Sequence, residues 1–118
     1  MAAFARAERD ARGFRIRQND TAPYFRKTLL DENGAAINLT GATIVFSMRR
    51  ADDPSAALTV SRQAVAIVTA ASGIAEYRWA AANTATAGHY DAEMEETTSG
   101  GLVRTHGPWP VIVLDDLG

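Results

Sequence analysis

A chain of 118 residues has room for one domain with its own core, and a hydrophobic content of 47% is typical of a folded globular protein. The lack of cysteine excludes a disulfide framework and thiolate metal sites. No apolar run approaches the roughly 20 residues of a membrane-spanning helix, and the N-terminal segment lacks the apolar core of a secretory signal. We therefore expect synthesis in the cytosol and no membrane contact.

The net charge of −2 hides an uneven distribution. Residues 1–27 contain seven basic and three acidic residues, whereas residues 28–118 contain five basic and eleven acidic residues. A basic arm on an acidic body would complement a neighbouring copy or an acidic partner, although solvated surface charges give the same pattern. Residues 1–12 lack β-branched residues, which favours a short helix or a flexible arm. We therefore divide the chain into an arm, 1–12, and a domain, 13–118.

The domain consists of short segments with period-two alternation, separated by turn sequences rich in Gly, Pro, Asn and Asp. These segments lie at 13–18, 24–30, 42–50, 57–60, 63–69, 74–79, 88–96, 102–106 and 111–114. In the third segment Ile44, Phe46 and Met48 share one face, which is typical of a strand that is buried on one side. Because only a second layer can cover that face, the pattern predicts an all-β antiparallel sandwich of seven to nine strands.

Two details of this prediction concern the later segments. In 74–79, Tyr77 and Trp79 should point inward while Glu76 and Arg78 point outward into solvent. The Gly-Pro-Trp-Pro sequence at 107–110 should break the strand that begins near residue 102, because proline cannot donate to a strand ladder.

The sequence contains only weak patterns of catalytic residues. Neither histidine, His89 or His106, has the spacing of a zinc site, and no serine lies in a nucleophile elbow. A glycosidase needs two carboxylates held across a cleft. Among Glu93, Glu95 and Glu96, the first two instead share one solvated strand face. We expect no enzymatic activity from these residues.

Cofactor and nucleic-acid sites are not indicated either. The acidic turn at 31–34 lacks the far-end Glu of a calcium loop, and the glycines fall at turns rather than in a phosphate loop. A sequence pI of about 5.6 argues against nucleic-acid binding. We expect no cofactor, no metal and no nucleic-acid partner.

Two residues depart from the simple pattern. Lys27 lies between Phe25 and Leu29 on the inward face, where an unpaired ammonium is costly. Either its strand lies at a sheet edge, or a partner chain covers it. Trp109, held between two prolines, either forms an exposed anchor for a sugar or a protein, or caps one end of the core.

Several motifs, taken in order, carry a resemblance to a known family. They are 20–23 (DTAP), 28–34 (TLLDENG), 39–44 (LTGATI), 46–49 (FSMR), 73–79 (GIAEYRW), Thr84, Gly88, Tyr90 and 92–94 (AEM). With this spacing, roughly residues 13–115 resemble the N-terminal domain of tailed-phage baseplate upper proteins. Lys27 stands where that pattern has an apolar residue.

The resemblance implies an immunoglobulin-like sandwich that is a virion component, with no catalytic residues or cofactor. We expect a structural protein of the tail or baseplate, present in symmetric copies, that docks fibre or neighbouring virion proteins; a neck or head-decorating position is the related alternative. The residues expected to contact partners are Phe4, Arg6, Arg9, Arg12, Phe14, Arg15, Lys27 and Trp109. A different class of function is a carbohydrate-binding module that uses Trp109 and Tyr24 as stacking platforms.

Overall fold

The computed structural model describes residues 13–53 and 55–116, so the predicted arm lies outside the described residues. The described part of the chain forms strands β1 Phe14–Arg17, β2 Phe25–Thr28, β3 Thr43–Arg50, β4 Val60–Ala64, β5 Ala66–Thr69, β6 Ile74–Tyr77, β7 Gly88–Thr97 and β8 Val103–Leu114. Two short 3-10 turns, Ala70–Ser72 and Ala81–Thr84, complete the regular elements. Within these ranges no helix has the length and apolar character needed to cross a bilayer.

The strands form two sheets that pack face to face. The larger sheet has the order β1-β8-β7-β3-β4 and the smaller one the order β2-β6-β5. This arrangement confirms the predicted all-β sandwich. Pairing is antiparallel except between β1 and β8, where Phe14 lies opposite Val111 in a parallel ladder. The first strand therefore joins the sheet at its edge, beside the last strand of the chain.

The core lies between the two sheets and follows the predicted alternation of β3. Ile44, Phe46 and Met48 are buried, while Thr43 and Arg49 on the other face are exposed. The other fully buried apolar residues come from both layers and from the loop after β2, and they include Phe25, Leu29, Leu39, Ala75, Ala92, Met94 and Val111. Burial of this continuous apolar surface is the main stabilising contribution to the fold.

Aromatic contacts join the two layers. The ring of Phe46 on β3 stacks on that of Tyr77 on β6, with centroids 4.1 Å apart and planes inclined by 7°. Trp79 meets both rings edge-on, at 5.5 Å from Phe46 and 5.2 Å from Tyr77. These geometries are among those that aromatic pairs prefer, and they add to the free energy of burial.

The chain crosses from one sheet to the other at Val65, which corrects the prediction of one continuous strand over 63–69. Val60 is buried in the larger sheet and Ile67 is half-buried in the smaller one, so the segment between them has to change layers. At the crossing, the N–H of Val65 donates to the carbonyl oxygen of Ile44 over 3.0 Å.

The Gly-Pro-Trp-Pro sequence bends β8 without breaking it, which corrects the second detailed prediction. Ala92 lies opposite Trp109 and Met94 opposite His106, so β8 has one more residue than β7 between these pairs. One extra residue in an antiparallel pair is a β-bulge, which keeps the ladder on both sides. Gly107 has φ +113°, and a Cβ there would lie 2.7 Å from the carbonyl oxygen of Ala92, so only glycine fits.

Candidate docking site

The predicted contact residues fall into two groups. Phe4, Arg6, Arg9 and Arg12 lie outside the described residues, whereas the other four lie on β1, β2 and β8. Three of these, Phe14, Lys27 and Trp109, come together around the ring of Phe25. Arg15 is exposed on the opposite face of β1 and does not join them. We call the cluster of Phe14, Phe25, Lys27 and Trp109 the β1–β2 rim.

Phe25 is the buried centre of the β1–β2 rim. The ring of Phe14 meets it edge-on at 5.2 Å between centroids, and the ring of Trp109 lies 5.7 Å away. The Lys27 ammonium stands 5.5 Å from the centroid of Phe25 and 5.3 Å from that of Trp109. Such cation–π contacts offset part of the cost of holding an ammonium against apolar side chains.

The two residues that departed from the sequence pattern are explained by this arrangement. Lys27 lies on β2, which is an edge strand of the smaller sheet, as one of the two predicted alternatives requires. Trp109 is half-buried and packs against the core, which matches the core-cap alternative better than a fully exposed anchor. The other proposed sugar platform, Tyr24, has the guanidinium of Arg78 over its ring at 5.4 Å. A sugar stacking on either ring would compete with a cation already in place.

Two strand edges with outward backbone groups border the β1–β2 rim. The N–H of Gln18 donates to Leu114 over 2.9 Å, so by the alternation of a parallel ladder the backbone of Arg15 and Arg17 points away from β8. On β2, the N–H of Leu29 donates to the carbonyl oxygen of Gly73. Alternate residues of β2 therefore bond to β6, and the residues between them, such as Arg26, turn their backbone N–H and C=O groups away from it. Both edges carry basic side chains and lie on the same side of the sandwich, since Phe14 and Phe25 are in contact.

Glu76 is buried, with 4% of its surface exposed, which corrects the prediction of an exposed outward residue. Its side chain does project from the outer face of the smaller sheet, as predicted, but the side chains of two neighbouring arginines cover it. Arg26 Nη2 lies 2.8 Å from Oε1, and Arg78 Nε lies 3.1 Å from Oε2. The hydrogen bond from Arg26 is the largest cause that lowers the pKa of Glu76; burial opposes it, and Arg78 acts in the same direction as Arg26.

The lowered pKa predicts a pH-dependent contribution to stability. A carboxyl whose pKa is lower in the folded state stabilises the fold above its unfolded pKa of about 4.3, and this contribution is lost as the pH falls through the folded value. We expect Glu76→Gln to lower the melting temperature at pH 7, and the difference from the native chain to shrink below about pH 4. Thermal unfolding followed by circular dichroism between neutral and acidic pH measures this. The exposed Glu93→Gln is the control, and a difference for Glu76→Gln that stays constant with pH would contradict the assignment.

Glu96 is fully buried on the inner face of β7, a position that the sequence analysis missed. The alternation of Tyr90, Ala92 and Met94 continues to this residue and is the signal that would have placed it inward. Its Oε1 lies 3.0 Å from His106 Nε2 and 3.9 Å from Arg104 Nη1. Within the described residues its Oε2 has no hydrogen-bond partner.

The position of Glu96 bears on the carboxylate pair considered for glycoside hydrolysis. Glu93 is exposed on the outer face of β7, whereas Glu96 points into the core, so the two carboxylates lie on opposite sides of the sheet. Glu95 shares the outer face with Glu93 and pairs with Arg62, whose Nη1 lies 3.0 Å from its Oε1. No two of the three therefore face each other across a cleft, as a glycosidase pair must.

The described surface of the larger sheet carries open depressions, one of them at β3 and β7 and another at β7 and β8. The first encloses about 160 Å³ and is lined by Ser47, Met48, Arg49, Leu58, Asp91, Glu93 and Pro108. The second encloses about 400 Å³ and is lined mainly by backbone and apolar residues, with His89 and Asp115 as its titratable groups. In the part of the chain that the structure describes, no group of three or more His, Cys, Asp or Glu could hold a metal ion.

No protein-family model matches this sequence. No curated protein matches it significantly either. These comparisons therefore give no support to the expected resemblance to baseplate domains, which depends only on the order and spacing of short motifs in the sequence.

Proposed function

We propose that this chain is a non-enzymatic structural protein of a tailed-phage particle, in its tail or baseplate. In this role it joins fibre or other virion proteins to their neighbours. The contacts would be made by the β1–β2 rim, by the edges of β1 and β2 beside it, and by the N-terminal arm. A neck or head-decorating position would use the same contacts.

The observation that carries the proposal is that, among the described residues, β1 and β2 each end a sheet on the same side of the sandwich. Gly13, which precedes β1, lies so close to Pro110 that a Cβ there would be 2.0 Å from the Pro110 carbonyl oxygen. Gly13 therefore packs against β8 beside Trp109. A partner that reaches this side meets the outward backbone groups of Arg15 and Arg26, together with several basic side chains.

The physical mechanism is strand addition. An extended segment of a partner pairs with the outward N–H and C=O groups of an edge strand, which supplies affinity through backbone hydrogen bonds. The basic residues of these edges, Arg15, Arg17, Arg26 and Lys27, favour an acidic partner segment and oppose like-charged ones. Repetition by symmetry turns one modest contact into a stable assembly.

The proposal is tested with two substitutions of Arg15 in the full chain. Arg15→Pro removes an outward N–H without removing a bond to β8, because proline is tolerated at edge positions whose N–H faces solvent. Arg15→Gln removes only the charge. Loss of edge hydrogen bonds at a net cost of about 1.4 kcal/mol would reduce binding about tenfold. We therefore expect particles purified from producing cells to contain the native chain and Arg15→Gln, and about tenfold less Arg15→Pro.

Circular dichroism of both purified variants confirms that each remains folded. Equal incorporation of all three chains would exclude the β1 edge as the contact. Absence of the native chain from the particles would contradict the structural role itself.

A further inference from the structure

Among the described residues, four strands end a sheet, and one of these four differs from the others in charge. Strands β1 and β4 end the larger sheet, and β2 and β5 end the smaller one. Three edges contain basic side chains, namely Arg15 and Arg17 on β1, Arg26 and Lys27 on β2, and Arg62 on β4. Strand β5 contains none, and the whole stretch 63–75 is uncharged. Charged side chains are a common protection of edge strands, so β5 is the edge left open to pairing.

The backbone of β5 is oriented for pairing at Ile67. Leu29 donates to the carbonyl oxygen of Gly73, so alternate residues of β6 turn towards β2 and those between them towards β5. Glu76 therefore bonds to Ala66, its partner in the ladder, and Ile67 turns its N–H and C=O away from β6. Val68 lies in a bulge after this residue and is 42% exposed.

We propose that the edge of β5 binds β5 of a second copy of this chain, antiparallel and about a two-fold axis close to Ile67. Such an axis places Ile67 opposite Ile67 of the second copy, where the two residues exchange both of their outward backbone hydrogen bonds. The smaller sheets of the two copies then form one continuous six-stranded sheet.

The lack of charged residues on β5 favours a second copy of this chain as the partner that pairs with this edge. In a two-fold pair of short edges, each charge on one strand lies near the same charge on the other, and like charges opposite each other are destabilising. The β1, β2 and β4 edges would bring arginine or lysine side chains together in this way, although Arg26 and Arg62 are each paired with a glutamate of their own copy. Ala66, Ile67, Val68 and Thr69 would bring no charges together. The bulge at Val68 limits regular pairing to a short segment, so the dimer is weak and its population depends on concentration.

This inference specifies the surface for the symmetric assembly of the proposed function, but it concerns the isolated chain. Its test therefore uses purified protein alone, and failure of the chain to enter particles would leave the test unaffected. Sedimentation velocity over a wide range of protein concentration measures self-association directly.

The test variant is Val68→Lys, which places like charges near each other across the axis at an exposed position. Val103→Lys is the matched control, because Val103 is 59% exposed and lies on β8 of the larger sheet, away from the β5 edge. We expect the dimer fraction of the native chain and of Val103→Lys to rise with concentration, and Val68→Lys to stay monomeric. Amide exchange at Ile67 should slow as the native chain dimerises. A native chain that is monomeric throughout, or a Val68→Lys that dimerises equally well, would overturn the proposal.

Discussion

Replacing Phe46 with alanine is expected to lower the free energy of unfolding by about 3–5 kcal/mol, the usual cost of truncating a buried aromatic residue. Phe46 is fully buried, stacks on Tyr77 of the opposite sheet and contacts Phe25 and Trp79 at their edges. Alanine would leave a cavity between the layers that rigid strands on both sides cannot collapse to fill. Urea-induced unfolding followed by tryptophan fluorescence measures the effect, because Trp79 lies beside the cavity.

Val45→Ala is the matched control, since Val45 is the neighbouring residue of β3 and lies half-buried on the opposite face. Its expected cost is below about 1.5 kcal/mol. Equal losses for the two variants would mean that β3 does not bury one face against a second layer.

The second large effect is expected at the buried carboxylate. His106→Ala removes the group that lies 3.0 Å from Glu96 Oε1 and leaves a fully buried carboxylate with Arg104 as its remaining neighbour at 3.9 Å. Leaving a fully buried carboxyl group without its hydrogen bond costs about 1–3 kcal/mol. We expect a loss of that order in chemical unfolding, and a small effect of about 0.5 kcal/mol for the exposed His89→Ala.

A double variant separates the loss of the pair from the loss of packing. Glu96→Met combined with His106→Leu replaces both polar groups by apolar ones of similar volume, which is often neutral or stabilising in buried pairs. We expect it to be more stable than His106→Ala and close to the native chain. A double variant as unstable as His106→Ala would mean that the Glu96–His106 contact holds the β7–β8 pair in a way that packing cannot replace.

The alternation of apolar and polar residues within single segments, together with the turn residues between them, was sufficient to predict the fold class. The alternation of Ile44, Phe46 and Met48 requires an apolar partner layer, and the turns at 31–34 and 97–101 occur where Asn, Gly and Ser predict them. The errors arose where a residue's environment is set by another part of the chain. Glu76 is covered by arginines from β2 and from the end of β6, and a single-strand pattern cannot show this.

Three of the four residues of the β1–β2 rim were named one by one from the sequence as expected contact residues, but their clustering was not predicted. Lys27 and Trp109 were recognised because each conflicts with its own strand pattern. Their meeting around Phe25 depends on the bulge at Gly107 and on the packing of β2 over β8, which are properties of the assembled sandwich. The uncharged edge of β5 was visible in the sequence as the run 63–75, but its meaning depends on which strands end a sheet.

The most direct test of this account is a cryo-electron microscopy reconstruction of particles from cells that produce the chain. We expect density for the two-sheet sandwich in repeated copies at the tail or baseplate, with a neighbouring protein on the edge of β1 or β2 beside Lys27. Particles without this density, or with neighbours bound only to the outer faces of the sheets, would contradict it.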